Sequence, residues 1–190
     1  MLKNLNTKTI ILASQSPRRQ DLLSDLGITF EVITKPIDED FPSEMNPHLI
    51  AEYLANKKSS AFHPKGEEII ITADTVVIHN NKVLNKPKNK EEAKEMLSNL
   101  SSSTHEVVTG VCINKENNQF SFSELTKVQF KALSKWEIDY YVNNYNARDK
   151  AGAYGIQDWI GKIGIKSIDG CYYNVMGLPL QTLYSYLSNL

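Results

Sequence analysis

Ten consecutive residues, Ile69-Ile70-Ile71-Thr72-Ala73-Asp74-Thr75-Val76-Val77-Ile78, carry apolar or small side chains on both parities, with one carboxylate among them. A run so short and so apolar predicts a central strand covered on both faces. Such a strand needs further layers on either side, which points to a mixed α/β chain. Period two puts Asp74 on the face of Thr72 and Val76. A carboxylate there is costly unless it meets a cation, a metal or hydrogen-bond donors. Two readings stay open at this point. Asp74 is a strand-end aspartate bonding local backbone, or a general base or metal ligand at the edge of a cleft.

The first βα junction carries the chain's clearest anion-binding signals. Thr9-Ile10-Ile11-Leu12-Ala13 reads as a strand, and Leu22, Leu23 and Leu26 fall at helical spacing before Gly27. Between them lies Ser14-Gln15-Ser16-Pro17-Arg18-Arg19. Ser16 suits the N-cap and Pro17 the first turn. Free N–H groups at a helix start, two hydroxyls and two guanidiniums favour a phosphate. The plainer reading is a capped helix with solvated arginines.

The rest of the chain alternates strand and helix signals. Ile28–Ile33 predicts a strand, and Asn46-Pro47 starts a helix with Leu49, Ile50, Tyr53, Leu54, Ala61 and Phe62 as its apolar face. Asn80-Asn81 predicts a turn into a short return strand, Lys82-Val83-Leu84. Lys90–Leu100 is helical, with Ala93, Met96, Leu97 and Leu100 inward. Strands at His105–Asn114 and Phe120–Leu133 flank the polar Lys115-Glu116-Asn117-Asn118 and predict a hairpin. Ser134 and Glu137 are spaced as a capping box. A glycine-rich loop, Ala151–Gln157, opens an irregular zone that Gly161, Gly164 and Gly170 prolong, and Gly177-Leu178-Pro179 starts a last amphipathic helix. The expectation is one domain over residues 1–190, two closely packed lobes on one sheet with a cleft between them. With 41% hydrophobic and 23% charged residues, the chain is expected to fold. No run reaches membrane-spanning length, no signal peptide is evident, and Cys112 and Cys171 lack CxxC spacing, so a cytoplasmic protein is expected.

Other residues extend the phosphate reading. Lys86, fixed by Pro87, is a candidate phosphate clamp, and Lys58 a second contact, each against the alternative of a solvated lysine. Glu39 is a candidate ligand for a magnesium ion carried in on phosphates, against the alternative of a plain acidic loop. Gln157 has an amide able to read a nucleobase edge, or simply to tie down its loop. No dinucleotide fingerprint, P-loop, zinc spacing of the four histidines or G-x-S-x-G turn occurs. These parts describe a polyphosphate site working by positioning, charge stabilisation and in-line attack on phosphorus. A net charge of −1 argues against nucleic acid as the main partner.

Five segments in order, Leu12–Arg19, Ala73-Asp74-Thr75, Lys86-Pro87, Asp149–Gln157 and Val175–Pro179, resemble the Maf family, the septum-formation-inhibitor-like nucleotide pyrophosphatases. The resemblance covers nearly the whole chain. It implies an inosine-triphosphatase-like mixed sheet, helices on both sides and a cleft between two lobes. It also implies hydrolysis of a nucleoside triphosphate to the monophosphate and pyrophosphate with a divalent metal such as Mg, Mn or Co. Asp74 then looks like the proton acceptor for water and a metal ligand, with Glu39 as its metal partner. Ser14, Arg19, Lys58 and Lys86 look like substrate contacts. Arg18, Thr75 and Gln157 match the branch acting on dTTP and UTP, with modified pyrimidine triphosphates as further candidates. Asn146-Ala147-Arg148 departs from the usual Glu-Pro of the family. The alternative is a non-catalytic nucleotide sensor or RNA-binding regulator of cell division. Exposed apolar surface would also serve a homodimer.

Overall fold

The computed structural model describes residues 2–116 and 118–190; Asn117, in the expected hairpin turn, lies outside them. The elements run β1 (Thr9–Leu12), α1 (Pro17–Asp25), β2 (Glu31–Val32), α2 (Pro47–Ser59), β3 (Glu68–His79), β4 (Lys82–Leu84), α3 (Lys90–Leu100) and β5 (Thr104–Lys115). They continue as β6 (Asn118–Phe130), α4 (Lys135–Asn144), α5 (Trp159–Gly164), β7 (Ile165–Asp169), α6 (Tyr172–Met176) and α7 (Leu180–Ser188). The strands form one seven-stranded sheet in the order β2-β1-β3-β5-β6-β7, with β4 paired to β3. β1 is parallel to β2 and β3, whereas β3–β4 and β6–β7 are antiparallel, so the sheet is mixed. Asn80 and Asn81 both hold positive φ, 51° and 60°, as the tight hairpin from β3 to β4 requires.

The chain packs as two compact units, one of Met1–Asp74, Thr109–Glu124 and Gly177–Leu190, the other of Thr75–Val108 and Leu125–Met176. In the first unit Ile11, Ile70 and Phe62 form a small cluster. On β5, Gly110 lies so near α2 that a Cβ would stand 2.3 Å from the backbone nitrogen of Glu52. That approach is why α2 buries Ile50, Ala51, Leu54 and Ala55 and leaves Leu49, at 57% exposure, and Tyr53 outside the core. In the second unit Leu97, Leu100, Phe130, Tyr141 and Ile160 belong to one core, and Val77, Val107 and Val128 to another. Ser134 and Glu137 make the full capping box.

Three further expectations are corrected. The strand expected at Ile28–Ile33 shrinks to Glu31–Val32, both exposed, because this sheet-end strand has only β1 beside it. Ser16 takes the N-cap position of α1 without a side-chain cap bond; its own N–H donates to Ser14 Oγ instead, at 3.3 Å. Gly161 and Gly164 lie in α5, not in irregular chain. A Cβ on Gly161 would come within 1.9 Å of the Ile156 carbonyl, so this glycine serves close packing. Both cysteines are free, Cys112 buried. Among the described residues no helix is long and apolar enough to cross a membrane.

Candidate active site

From β1 the chain passes through α1 to β2 on one side, then through α2 to β3 on the other. Strand order reverses there, and in open α/β sheets such a reversal places ligands at the carboxyl ends of the strands. The register Leu12↔Ile71 carries β1 into Ser14–Arg19 as β3 carries into Ala73 and Asp74. Arg19 ties the two together. Its Nη1 donates to the Ala73 carbonyl at 2.9 Å and to Ser14 Oγ at 3.4 Å, and its Nε donates to the Gly177 carbonyl at 2.7 Å. Burial holds the Arg19 guanidinium below its usual range, with Arg18 adding to that effect while Asp74 and Glu39 oppose it.

Lys58, in the last turn of α2, completes the cluster. Its Nζ donates to Asp74 Oδ1 at 2.5 Å and lies 2.7 Å from Glu39 Oε1. A cation is favoured at that end of the helix. The aspartate and lysine side chains are mostly covered, at 13% and 16% exposure, while Glu39 is open at 54%. Thr72, on the same face of β3 as Asp74, is fixed to α2 by a bond to the Ala55 carbonyl at 2.7 Å. Asp74 therefore stands in mid-strand with a cation from the adjoining helix, and the strand-end reading fails. Arg18, Arg19 and Lys58 against Glu39 and Asp74 leave three positive and two negative charges, an excess that suits an anion.

Glu39 and Asp74 converge on one ammonium, and their oxygens suit a hard divalent cation. Among the described residues no group of three or more His, Cys, Asp or Glu side chains could hold an ion. Two carboxylates are a donor number compatible with a divalent cation that keeps most of its shell for other oxygens.

The remaining sequence candidates belong to the second unit. Thr75 is half-buried on β3, directly after Asp74, and Lys86 is exposed beside a buried Pro87. Gln157 follows a short 3-10 turn, Ala151–Ala153, in which Gly152 and Ala153 both adopt positive φ, 67° and 63°. Its Oε1 is buried and has no hydrogen-bond partner among the described residues. An unmet buried acceptor of that kind suits a ligand with a donor to offer.

The polar contacts around this loop escape sequence reading. Tyr141 and Asp158 are joined by a hydrogen bond of 2.6 Å, and Lys150 Nζ lies 3.4 Å from the same carboxylate. His105 Nε2 lies 2.6 Å from the Tyr154 hydroxyl. Burial, helped by the charge of His79, lowers the His105 pKa to about 3. Tyr141 reads in the sequence as an ordinary inward residue of α4, and no spacing rule exposes the partner of its hydroxyl. His105 lacks metal spacing and offers no other signal.

The chain has clear relatives among known proteins. A family model described as Maf-like protein matches residues 9–190. The chain is 51% identical over 195 residues to a dTTP/UTP pyrophosphatase of Phocaeicola vulgatus, with both chains covered completely. It is 49% identical over 193 residues to a protein of the same name from Bacteroides thetaiotaomicron, again with complete coverage of both. Among solved structures it is similar in fold to the Ham1 protein of Staphylococcus aureus, at TM-score 0.53 and 14% identity, covering 96% of this chain and 99% of that one. A HAM1 protein from Coxiella burnetii gives TM-score 0.50 at 12% identity, covering 97% and 100%. The family match over nearly the whole length, together with full-length relatives at about half identity, shows that the chain belongs to the Maf-like protein family.

Proposed function

We propose that this protein hydrolyses dTTP and UTP, and modified pyrimidine triphosphates, to the monophosphate and pyrophosphate. One observation carries the chemistry: Lys58 gathers Asp74 and Glu39 beside the Arg19 brace at the strand-order reversal. The names of the full-length relatives support an enzyme acting on those substrates and disfavour a sensor or an RNA-binding regulator.

In this reading Asp74 accepts the proton of the attacking water, and water adds to phosphorus as pyrophosphate leaves. Ser14, Arg18, Arg19, Lys58 and Lys86 meet the phosphates. Arg19 has a second task, since its bonds to Ala73 and Gly177 fix the backbone next to Asp74. Glu39 and Asp74 would hold a divalent cation, which supplies charge neutralisation on the phosphates. Thr75 and Gln157 meet the nucleoside, and the buried acceptor of Gln157 supports that assignment. Two free cysteines suit a reducing cytoplasm.

The test is pyrophosphate release from a panel of pyrimidine and purine triphosphates with magnesium, manganese or cobalt, repeated in chelator. Turnover concentrated on dTTP and UTP and abolished by chelation is expected. Tight nucleotide binding with no pyrophosphate released under any metal would overturn the reading in favour of the sensor.

A further inference from the structure

Gln157 is flanked by anchored neighbours. Tyr141 is fully buried on α4, and its hydroxyl donates to Asp158 Oδ2 at 2.6 Å while accepting from the Gly155 N–H at 3.1 Å. One phenol therefore grips the chain on both sides of Gln157. The Asp158 N–H closes the turn on the Gly155 carbonyl at 3.0 Å. Lys150, also buried, lies 3.4 Å from Asp158 Oδ2 and is itself held by the Asn146 carbonyl and, at 3.0 Å, by Asp149 Oδ1. Gly155 leaves room for this knot: a Cβ there would stand 2.7 Å from Asp158 Oδ2 and 2.9 Å from Lys150 Cε. Between these fixed points the Gln157 Oε1 is the buried acceptor left without a partner among the described residues.

We propose that Tyr141 and Asp158 are positioning residues for base selection, holding the Gly155–Asp158 turn so that Gln157 presents its acceptor to a pyrimidine bearing an N3–H. Thymine and uracil carry that donor. Cytosine presents a lone pair at the same place and is disfavoured while the amide keeps its oxygen toward the base. The inference rests on the reading that Gln157 meets the base. A fixed turn matters because an amide that must first be ordered loses affinity for the ligand it selects.

The experiment measures kcat/KM for dTTP and dCTP in the wild type and in Tyr141→Phe, Asp158→Asn and Gln157→Ala. Tyr141→Phe and Asp158→Asn are expected to lower the dTTP preference by about threefold to tenfold, mostly through the KM for dTTP. Partial unfolding lowers activity on both substrates alike and leaves the ratio unmoved. If Gln157→Ala lowers the ratio while Tyr141→Phe and Asp158→Asn leave it intact, the positioning role is overturned and the base contact stands. If Gln157→Ala also leaves it intact, the base contact itself is wrong and the positioning role falls with it. Should Tyr141→Phe fail to fold, Asp158→Asn decides between the same outcomes.

Discussion

The two candidate regions hold their working groups in different ways. In the first unit Lys58, Arg19, Asp74 and Glu39 are charged and stand on or beside regular elements, α1, α2 and β3. In the second, Tyr141, Tyr154, His105 and Gln157 offer hydroxyl, imidazole and amide groups around a loop with two left-handed residues in succession, and the charged Asp158 and Lys150 serve to anchor that loop. Charge acts over distance and falls off gently, so the first arrangement tolerates small displacements. Neutral hydrogen bonds are lost over a few tenths of an ångström and a few tens of degrees, so the second needs a rigid frame. Under the proposed function the two arrangements divide the labour, charge serving rate and fixed hydrogen-bond geometry serving choice.

The sharpest way to break that division is Asp74→Asn. The amide keeps an oxygen for Lys58 but cannot accept the proton of water at neutral pH. Turnover is expected to fall by about a hundredfold to ten-thousandfold with nucleotide binding largely kept, measured as kcat and KM for pyrophosphate release from dTTP. Unchanged kcat would remove Asp74 from proton transfer and leave the first region a binding site alone. Lys58→Met comes next. It strips the ammonium from two converging carboxylates, and a loss of about tenfold to a hundredfold in kcat/KM is expected on every triphosphate. A loss confined to dTTP would show that base choice also depends on the charged region.

The same contrast explains what could be read in advance. The apolar run of β3, the Asn80-Asn81 turn, the α3 stripe and the Ser134 capping box follow local rules, and the structure shows each of them. Asp74 and the Arg18-Arg19 pair stand out in the sequence because charge inside or next to apolar sequence demands a partner. Lys58 as that partner was less visible, because the meeting of α2 with β3 is tertiary. The exposure of Leu49 and the helical place of Gly161 are hidden in the sequence for the same reason: backbone approaches at Gly110 and Ile156 decide them, and no spacing rule contains those distances. Tyr141 and His105 look like core residues until their polar atoms are placed.

The smallest expected effect probes the second region alone. His105 is buried, bonded to the Tyr154 hydroxyl, and holds a folded-state pKa of about 3 against about 6.5 for an exposed histidine. Below pH 6.5 the unfolded chain takes up a proton that the native imidazole refuses. Stability from this group is thus complete above pH 6.5 and is lost as pH falls toward 3. From pH 7.5 to 5.5 the loss amounts to about 1.4 kcal/mol, a range still above the ordinary titration of most carboxylates. His105→Gln keeps a polar group for Tyr154 and has nothing to protonate, so its stability is expected to lack this slope. Urea unfolding followed by the fluorescence of Trp136 and Trp159, both in this unit, measures it directly. Parallel curves for wild type and variant would mean that the imidazole is not kept neutral by its surroundings. A steeper wild-type curve would show that the second region loses stability in acid through this one buried ring.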